Sequence, residues 1–126
     1  MISATSMPRV LLVEDEACLA MMLQDLLEDA GYEVIKAARV PAALRMAQGE
    51  SIDAAILDVN VAGTEVFPVA EQLRERGVPF MFASGYGERG LPGEYRGFPI
   101  LQKPYDPAVL GTMLRNVLAR PTTPAS

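Results

Sequence analysis

Four short apolar segments in this chain each end abruptly at a polar side chain. They cover residues 10–13, 52–57, 78–83 and 99–102, and Asp53 is the charged exception inside the second. Apolar runs this short are typical of strands that are buried on both faces of a sheet. Such strands need helices on each face to cover them, so this feature constrains the fold more than any other.

Helical spacing of apolar residues fills the segments between the predicted strands. Apolar residues recur at offsets 0, 3, 4, 7 and 8 from Leu19, and the same offsets recur from Leu110. Each series predicts a helix with one face toward the core, so Met22 and Met113 are expected to pack there. A third helix is predicted over residues 65–76.

The remaining segments complete an alternation of strands and helices. Residues 32–37 predict a less apolar strand at the edge of the sheet, and a helix is expected from Pro41 to Gly49. The stretch between Gly85 and Pro99 is rich in glycine and proline, so a fourth helix there should be short and weak. Strands alternating with helices in this way give an α/β fold, a doubly wound parallel sheet with helices on both faces.

Composition and charge exclude several classes of function. The net charge is −5 and the 11 lysine and arginine residues form no run, which counts against nucleic-acid binding. The chain contains no histidine, which excludes a histidine base, a histidine metal site and a phosphohistidine within it. No apolar run approaches spanning length, so we expect no membrane segment and no signal peptide. The single cysteine, Cys18, is expected to pack as a small apolar residue, and we expect a cytoplasmic location.

The polar residues that follow the predicted strands are expected to meet at one edge of the sheet. They are Glu14, Asp15, Asp58, Ser84 and Lys103. The carboxyl ends of parallel strands form the crevice in which ligands bind, and three acids crowded there repel one another until a cation neutralises them. Oxygen ligands without histidine favour Mg²⁺, Mn²⁺ or Ca²⁺, and Mg²⁺ best fits a site that also takes phosphate. Asp58 can bind this metal, attack phosphorus as a nucleophile, or simply begin a turn.

These residues and their spacing resemble the active-site pattern of the receiver domain of two-component response regulators. The resemblance covers residues 8–120 and implies a flavodoxin-like, CheY-like (βα)5 sheet with strand order 2-1-3-4-5. Residues 1–7 are then expected to be a flexible leader and residues 121–126 a flexible tail. The matching motifs are Glu14-Asp15, Asp58, Ser84 and Lys103-Pro104.

The resemblance implies that Asp58 accepts a phosphoryl group from a histidine on another protein or domain. The donor is then a sensor histidine kinase or a histidine phosphotransfer protein. The signal is expected to leave through a downstream protein target, with neither nucleic acid nor membrane as a partner, because no output domain is expected after residue 120. The chain would not be an enzyme in the usual sense, since it would add and remove only its own phosphoryl group.

The same resemblance assigns roles to the other residues of the site. It implies that Mg²⁺, or Mn²⁺ in its place, is bound by the side chains of Asp15 and Asp58. The main-chain carbonyl of Asn60 is the next implied ligand, and Glu14 is expected to hold a metal-bound water. The phosphoryl oxygens are expected to bind the side chains of Ser84 and Lys103.

Three departures from the family pattern concern the switch that phosphorylation would operate. The loop after the acceptor, residues 61–63, reads Val-Ala-Gly where the family usually has Met-Pro-Gly, and Ile100 stands where the family has its switch aromatic. Residues 79–86 resemble a receiver subfamily named for Phe-Ala-Thr-Gly, a bulky residue and Tyr, although Ser84 replaces the threonine. We therefore expect the glycine-rich residues 85–97, rather than a rotating ring, to reorder on phosphorylation.

The switched protein-interaction surface is expected near residues 84–105. Tyr86, Ile100 and Pro104 are the predicted switch or modulating residues. Tyr86 and Asn60 would flank the acceptor and control the access of water to it. Two other functions stay open: a receiver-like interaction module that is never phosphorylated, and a small Mg²⁺-dependent phosphohydrolase with an aspartate nucleophile.

Overall fold

A single parallel sheet forms the centre of the molecule. The computed structural model describes residues 7–85, 91–103 and 106–119. When its five strands are numbered along the chain, their order across the sheet is 2-1-3-4-5, which confirms the predicted topology. The strands are β1 (Arg9–Val13), β2 (Glu33–Ala37), β3 (Ala54–Asp58), β4 (Phe80–Ser84) and β5 (Ile100–Gln102).

Helices cover both faces of the sheet, as predicted for a doubly wound α/β fold. Helices α2 (Val40–Gly49) and α3 (Phe67–Glu75) pack into one buried apolar cluster. Helices α1 (Ala17–Asp29) and α4 (Pro107–Ala119) pack into a second cluster on the opposite face. Within the described ranges, none of the helices has both the length and the apolar character needed to cross a membrane.

The inner strands are the apolar runs that the sequence shows. β3 and β4 are buried along their whole length, whereas β2 is largely half-buried or exposed, as expected at an edge. Side chains alternate between the two faces: Ala55 and Leu57 contact the first cluster, and Ala54 and Ile56 the second. Because helices pack against both faces of each inner strand, the residue at the carboxyl end of that strand is held in a fixed place.

A small hairpin lies between β3 and the third helix. Asn60–Val61 pairs antiparallel with Thr64–Glu65, and the side chain of Val61 is fully buried. This pairing commits residue 65 to extended structure, so α3 begins at Phe67 and not at residue 65 as the apolar spacing predicted. The segment after β3 is therefore an ordered hairpin rather than a loop.

The predicted core positions of Met22 and Cys18 are wrong. Met22 is 43% exposed and Cys18 is also exposed. The buried face of α1 consists of Ala20, Leu23 and Leu27. Residues turn by about 100° each around a helix, which puts Cys18 on the side opposite Leu27 and Met22 well away from the sheet.

An aromatic cluster fixes part of the glycine-rich stretch to the sheet. A 3₁₀ turn at Gly93–Tyr95 buries Tyr95 to 1% exposure, and Leu91 is buried beside it. The Tyr95 ring lies 5.5 Å from that of Phe67 in a stacked arrangement and 5.4 Å from that of Phe82 edge-on. Composition alone predicted weak structure here and missed this contact, while residues 86–90, including Tyr86, lie outside the described part.

We expect Tyr95→Ala to lower the free energy of unfolding by roughly 3–5 kcal/mol, because it leaves a cavity among packed rings. Urea unfolding followed by circular dichroism measures this. Glu94→Ala is the matched control, since Glu94 lies in the same turn but is exposed, and it should change the value by under about 0.5 kcal/mol. Equal effects of the two substitutions would show that the turn is not anchored by its ring.

Candidate functional site

An open cleft lies at the carboxyl-terminal edge of the sheet. Its volume is about 520 Å³. This is the edge at which an open α/β sheet binds ligands, because the loops that leave neighbouring strands diverge there. The residues that line it are Glu14, Asp15, Glu16, Asp58, Val59, Asn60, Ser84, Gly85 and Lys103.

Strand register brings the polar residues to the same level of the cleft. Asp58 is the last residue of β3 and pairs with Ala83, so the next residue of β4, Ser84, lies beside it. The ladder continues beyond β5, where the Lys103 N–H donates to the Ser84 carbonyl at 3.1 Å. At the other side, the Glu14 N–H donates to the Ala37 carbonyl at 3.0 Å. The backbones of Glu14, Asp58, Ser84 and Lys103 are thus held by the sheet.

Lys103 lies between two buried carboxylates. Its Nζ donates a hydrogen bond to Asp58 Oδ2 at 3.1 Å and lies 3.6 Å from Glu14 Oε1. Glu14 is 4% exposed and Asp58 is 7% exposed, so solvent screens neither charge well. One ammonium group cannot neutralise two ionised carboxylates, so ionisation of both acids leaves an excess of negative charge.

The pKa of the Glu14 carboxyl is raised to about 7. Burial is the main cause and the negative charge of Asp58 adds to it, whereas the Glu16 N–H and Lys103 lower the pKa. Burial alone would lower the pKa of Lys103, but its hydrogen bond and charge interaction with Asp58, together with Glu14, outweigh this and raise it. Lys103 is therefore charged across the physiological range.

Asp15 is exposed and is held by the hairpin that follows β3. The Ala62 N–H donates to Asp15 Oδ2 at 3.0 Å. The next amide along the turn, that of Gly63, donates to Asn60 Oδ1, also at 3.0 Å. Two side chains at the rim of the cleft are thus positioned by one turn.

The acidic residues are arranged as a cation site requires. One carboxylate oxygen from each of Glu14, Asp15 and Asp58 lies within 4.8 Å of the others. Carboxylate oxygens alone, with a main-chain carbonyl nearby, are the donor set that Mg²⁺ prefers, and Mg²⁺ also keeps positions for water and phosphate. The pKa of Glu14 is raised mainly by burial and next by the negative charge of Asp58, so a bound cation would favour the ionised form of Glu14.

The structure brings together six of the residues that the sequence pointed to. Ile100 lies apart from the cleft, half-buried at the start of β5 against the first cluster. Tyr86 and Pro104 lie outside the described residues, so their predicted switch roles stay predictions. The residues gathered at the cleft are Glu14, Asp15, Asp58, Asn60, Ser84 and Lys103.

Sequence reasoning missed the contribution of two residues to the cleft. Glu16 completes the run of three acids and both lines the cleft and donates its N–H to Glu14 Oε2 at 3.2 Å. Ala62 supports Asp15 through its backbone, for which a side-chain pattern carries no signal.

Known proteins similar to this chain in sequence belong to one family. Residues 10–115 match the model of the response regulator receiver domain. Over 117 residues the chain is 30% identical to the aerobic respiration control protein ArcA of Escherichia coli strain K12, which covers 90% of this chain and 49% of ArcA. The chain therefore spans about half the length of the curated relatives it matches.

Solved structures similar to this chain share its fold. SdrG from Sphingomonas melonis Fr1 is 38% identical with a TM-score of 0.79, over 94% of this chain and 100% of the SdrG chain. The receiver domain of the sensor histidine kinase PA1611 from Pseudomonas aeruginosa PAO1, solved with magnesium in its active-site cleft, has the same TM-score at 24% identity. It covers 91% of this chain and 100% of its own, and shares the fold. On the family match and these likenesses, the chain belongs to the response regulator receiver domain family.

Proposed function

We propose that this chain accepts a phosphoryl group on Asp58 in a Mg²⁺-dependent reaction and thereby switches a protein-interaction surface. The observation that carries the proposal is the placement of Asp58. It ends a buried strand in an acidic cleft, with the Lys103 ammonium 3.1 Å from its carboxylate. A carboxylate so placed is a nucleophile for phosphorus, and the adjacent cation stabilises the product.

The donor is proposed to be a phosphohistidine on a sensor histidine kinase or a histidine phosphotransfer protein. This chain holds no histidine, so the donor histidine lies outside its 126 residues. A carboxylate oxygen of Asp58 forms a bond to phosphorus while the P–N bond of the donor breaks. The electron pair of that bond returns to the imidazole, which then takes up a proton.

Lys103 and Ser84 are proposed to hold the transferred group. Before transfer, the Lys103 ammonium is bonded to Asp58 Oδ2. After transfer, the same ammonium is within reach of the new phosphoryl oxygens. Ser84, buried at the end of the neighbouring strand, offers its hydroxyl to the same oxygens. The protein thus contributes position and charge rather than acid–base chemistry.

Mg²⁺, with Mn²⁺ as a substitute, is the proposed cofactor. The side chains of Asp15 and Asp58, the main-chain carbonyl of Asn60 and a water held by Glu14 would bind it. When bound, the metal neutralises charge on the phosphoryl oxygens. The excess negative charge of the three acids supports this assignment.

The proposed output is a change in protein contacts near residues 84–105, with a downstream protein as target and the cytoplasm as location. Tyr86, Ile100 and Pro104 are the proposed modulating residues, and residues 8–120 the proposed extent of the domain. The chain would turn over only its own phosphoryl group. Membership of the subfamily named for Phe-Ala-Thr-Gly stays a prediction.

Incubation with acetyl phosphate and Mg²⁺ should add one phosphoryl group to the protein, because a small acyl phosphate can replace the protein donor. Intact mass spectrometry measures the gain. Asp58→Asn should abolish it, as should removal of the metal with EDTA. Asp25→Asn, an exposed acid on α1, is the control and should be modified like the wild type.

No gain with acetyl phosphate, followed by no gain from a phosphohistidine protein, would contradict the proposed transfer. That pair of results would favour an interaction module that is never phosphorylated. Continued release of phosphate from an ester, without a stable modification, would instead favour a phosphohydrolase.

Without metal, the protein should lose stability as pH rises from about 4.5 to 7, by on the order of 1–3 kcal/mol from Glu14. In this window the folded state holds a proton on Glu14, whose pKa is raised to about 7, whereas the unfolded chain has released it. Urea unfolding in EDTA at pH 5 and pH 7.5 measures the effect.

Glu14→Gln should make the unfolding free energy less dependent on pH, and Glu75→Gln, an exposed control, should not. Saturating Mg²⁺ should recover the stability lost at pH 7.5, because the cation takes the place of the proton. An unchanged slope in Glu14→Gln would show that the carboxyl does not retain its proton.

Phosphorylation should change the hydrogen-exchange protection of residues 91–98, because this segment follows the strand that ends at Ser84. Beryllofluoride with Mg²⁺ serves as a stable phosphoryl mimic, and exchange is followed by NMR at the amides of Leu91 and Tyr95. Amides of β2, at the far edge of the sheet, are the internal control. Unchanged protection in residues 91–98 would show that the switched surface lies elsewhere.

A further inference from the structure

The turn after the acceptor strand has an unusual backbone. Val61 pairs with Thr64, and the two residues between them, Ala62 and Gly63, have φ angles of +52° and +85°. Two central residues with positive φ are the signature of a type I′ hairpin turn. Among the described residues, Ala62 is the one non-glycine residue with a positive φ angle.

Alanine is disfavoured in the left-handed region, because its Cβ approaches the backbone oxygen. Glycine at position 62 would remove this strain. The left-handed conformation of Ala62 sets the direction of its own N–H group.

That N–H points at a residue of the acidic cleft. The Ala62 N–H donates to Asp15 Oδ2 at 3.0 Å, across 47 positions in the sequence. The neighbouring Gly63 N–H serves a local partner, Asn60 Oδ1. The two amides of this turn therefore bind different partners. The Ala62 N–H binds a residue of another segment of the cleft, and the Gly63 N–H binds a residue of the hairpin itself.

Asp15 needs such a restraint. It is exposed, and its carboxylate lies within 4.8 Å of oxygens of Glu14 and Asp58. Repulsion from these two acids and hydration by solvent both favour rotation of the Asp15 side chain out of the cleft. A hydrogen bond to a charged acceptor opposes this rotation.

We propose that Ala62 is a positioning residue for Asp15: its main-chain N–H holds the Asp15 carboxylate in the cleft, so that the hairpin turn and the cation site behave as one coupled unit. This inference rests on the proposed binding of Mg²⁺ by Asp15. By thermodynamic reciprocity, a turn that favours cation binding is itself stabilised by the cation. Proline at this position could not act in this way, since it has no N–H and its φ is fixed near −65°.

Three variants at position 62 separate the N–H from the side chain. Ala62→Gly and Ala62→Asn keep the donor and tolerate positive φ, so Mg²⁺ affinity measured by calorimetry should stay within about twofold of the wild type. Ala62→Pro removes the donor, and affinity should fall on the order of tenfold. Wild-type affinity in a folded Ala62→Pro protein would overturn the inference.

Amide exchange gives a readout that does not depend on bound metal. In metal-free protein, Asp15→Ala should abolish the protection of the Ala62 amide and leave that of Gly63 unchanged, because Gly63 donates to Asn60. Adding Mg²⁺ to the wild type should increase protection at Ala62. Should Ala62→Pro fail to fold, these measurements decide the matter, and equal protection of Ala62 in wild type and Asp15→Ala overturns the inference.

Loss of metal binding and loss of the coupling would give different results. Absence of Mg²⁺ binding by the wild-type protein would overturn the proposed metal function and, with it, the coupling. Normal Mg²⁺ binding, together with equal exchange protection of the Ala62 amide in wild type and Asp15→Ala, would overturn the coupling and leave the proposed function intact.

Discussion

Two buried carboxylates that share one lysine determine the character of this molecule. Lys103 is bonded to Asp58 and lies 3.6 Å from Glu14, and neither acid has enough solvent around it to be screened. The protein compensates in part by raising the pKa of Glu14 to about 7, with burial as the main cause. A site with this imbalance attracts a divalent cation and a group that carries its own negative oxygens, which is the chemistry of phosphoryl transfer.

The charged residues of the site stay close together because the backbone hydrogen bonds of the sheet hold them in place. Asp58 and Ser84 end strands that are buried on both faces, and the ladder extends to Lys103 through its backbone N–H. A shift of one residue in the pairing of β3 would turn Asp58 to the opposite face and place an apolar side chain at the cleft. The electrostatic strain of the site is thus sustained by apolar packing on both faces of the sheet.

The elements that the sequence predicted well are those whose signal is local. An apolar run that stops at a polar residue marks both a buried strand and its functional end, as at Asp58. The missed features depend on distant partners: Tyr95 is buried by rings from α3 and β4, and the Ala62 N–H meets a carboxylate 47 positions away. Met22 was misplaced because it lies outside the arc of α1 that is buried through Ala20, Leu23 and Leu27.

Two contacts in series connect the cleft to the segment after β4. The Val66 N–H donates to the Val59 carbonyl at 3.0 Å, which ties the start of α3 to the residue after Asp58. The next residue, Phe67, stacks on Tyr95 with ring centroids 5.5 Å apart. The acceptor hairpin, the start of α3 and Tyr95 are thus connected by contacts in series. Ile100 carries no ring, and within the segment at 91–98 it is Tyr95 whose ring contacts Phe67.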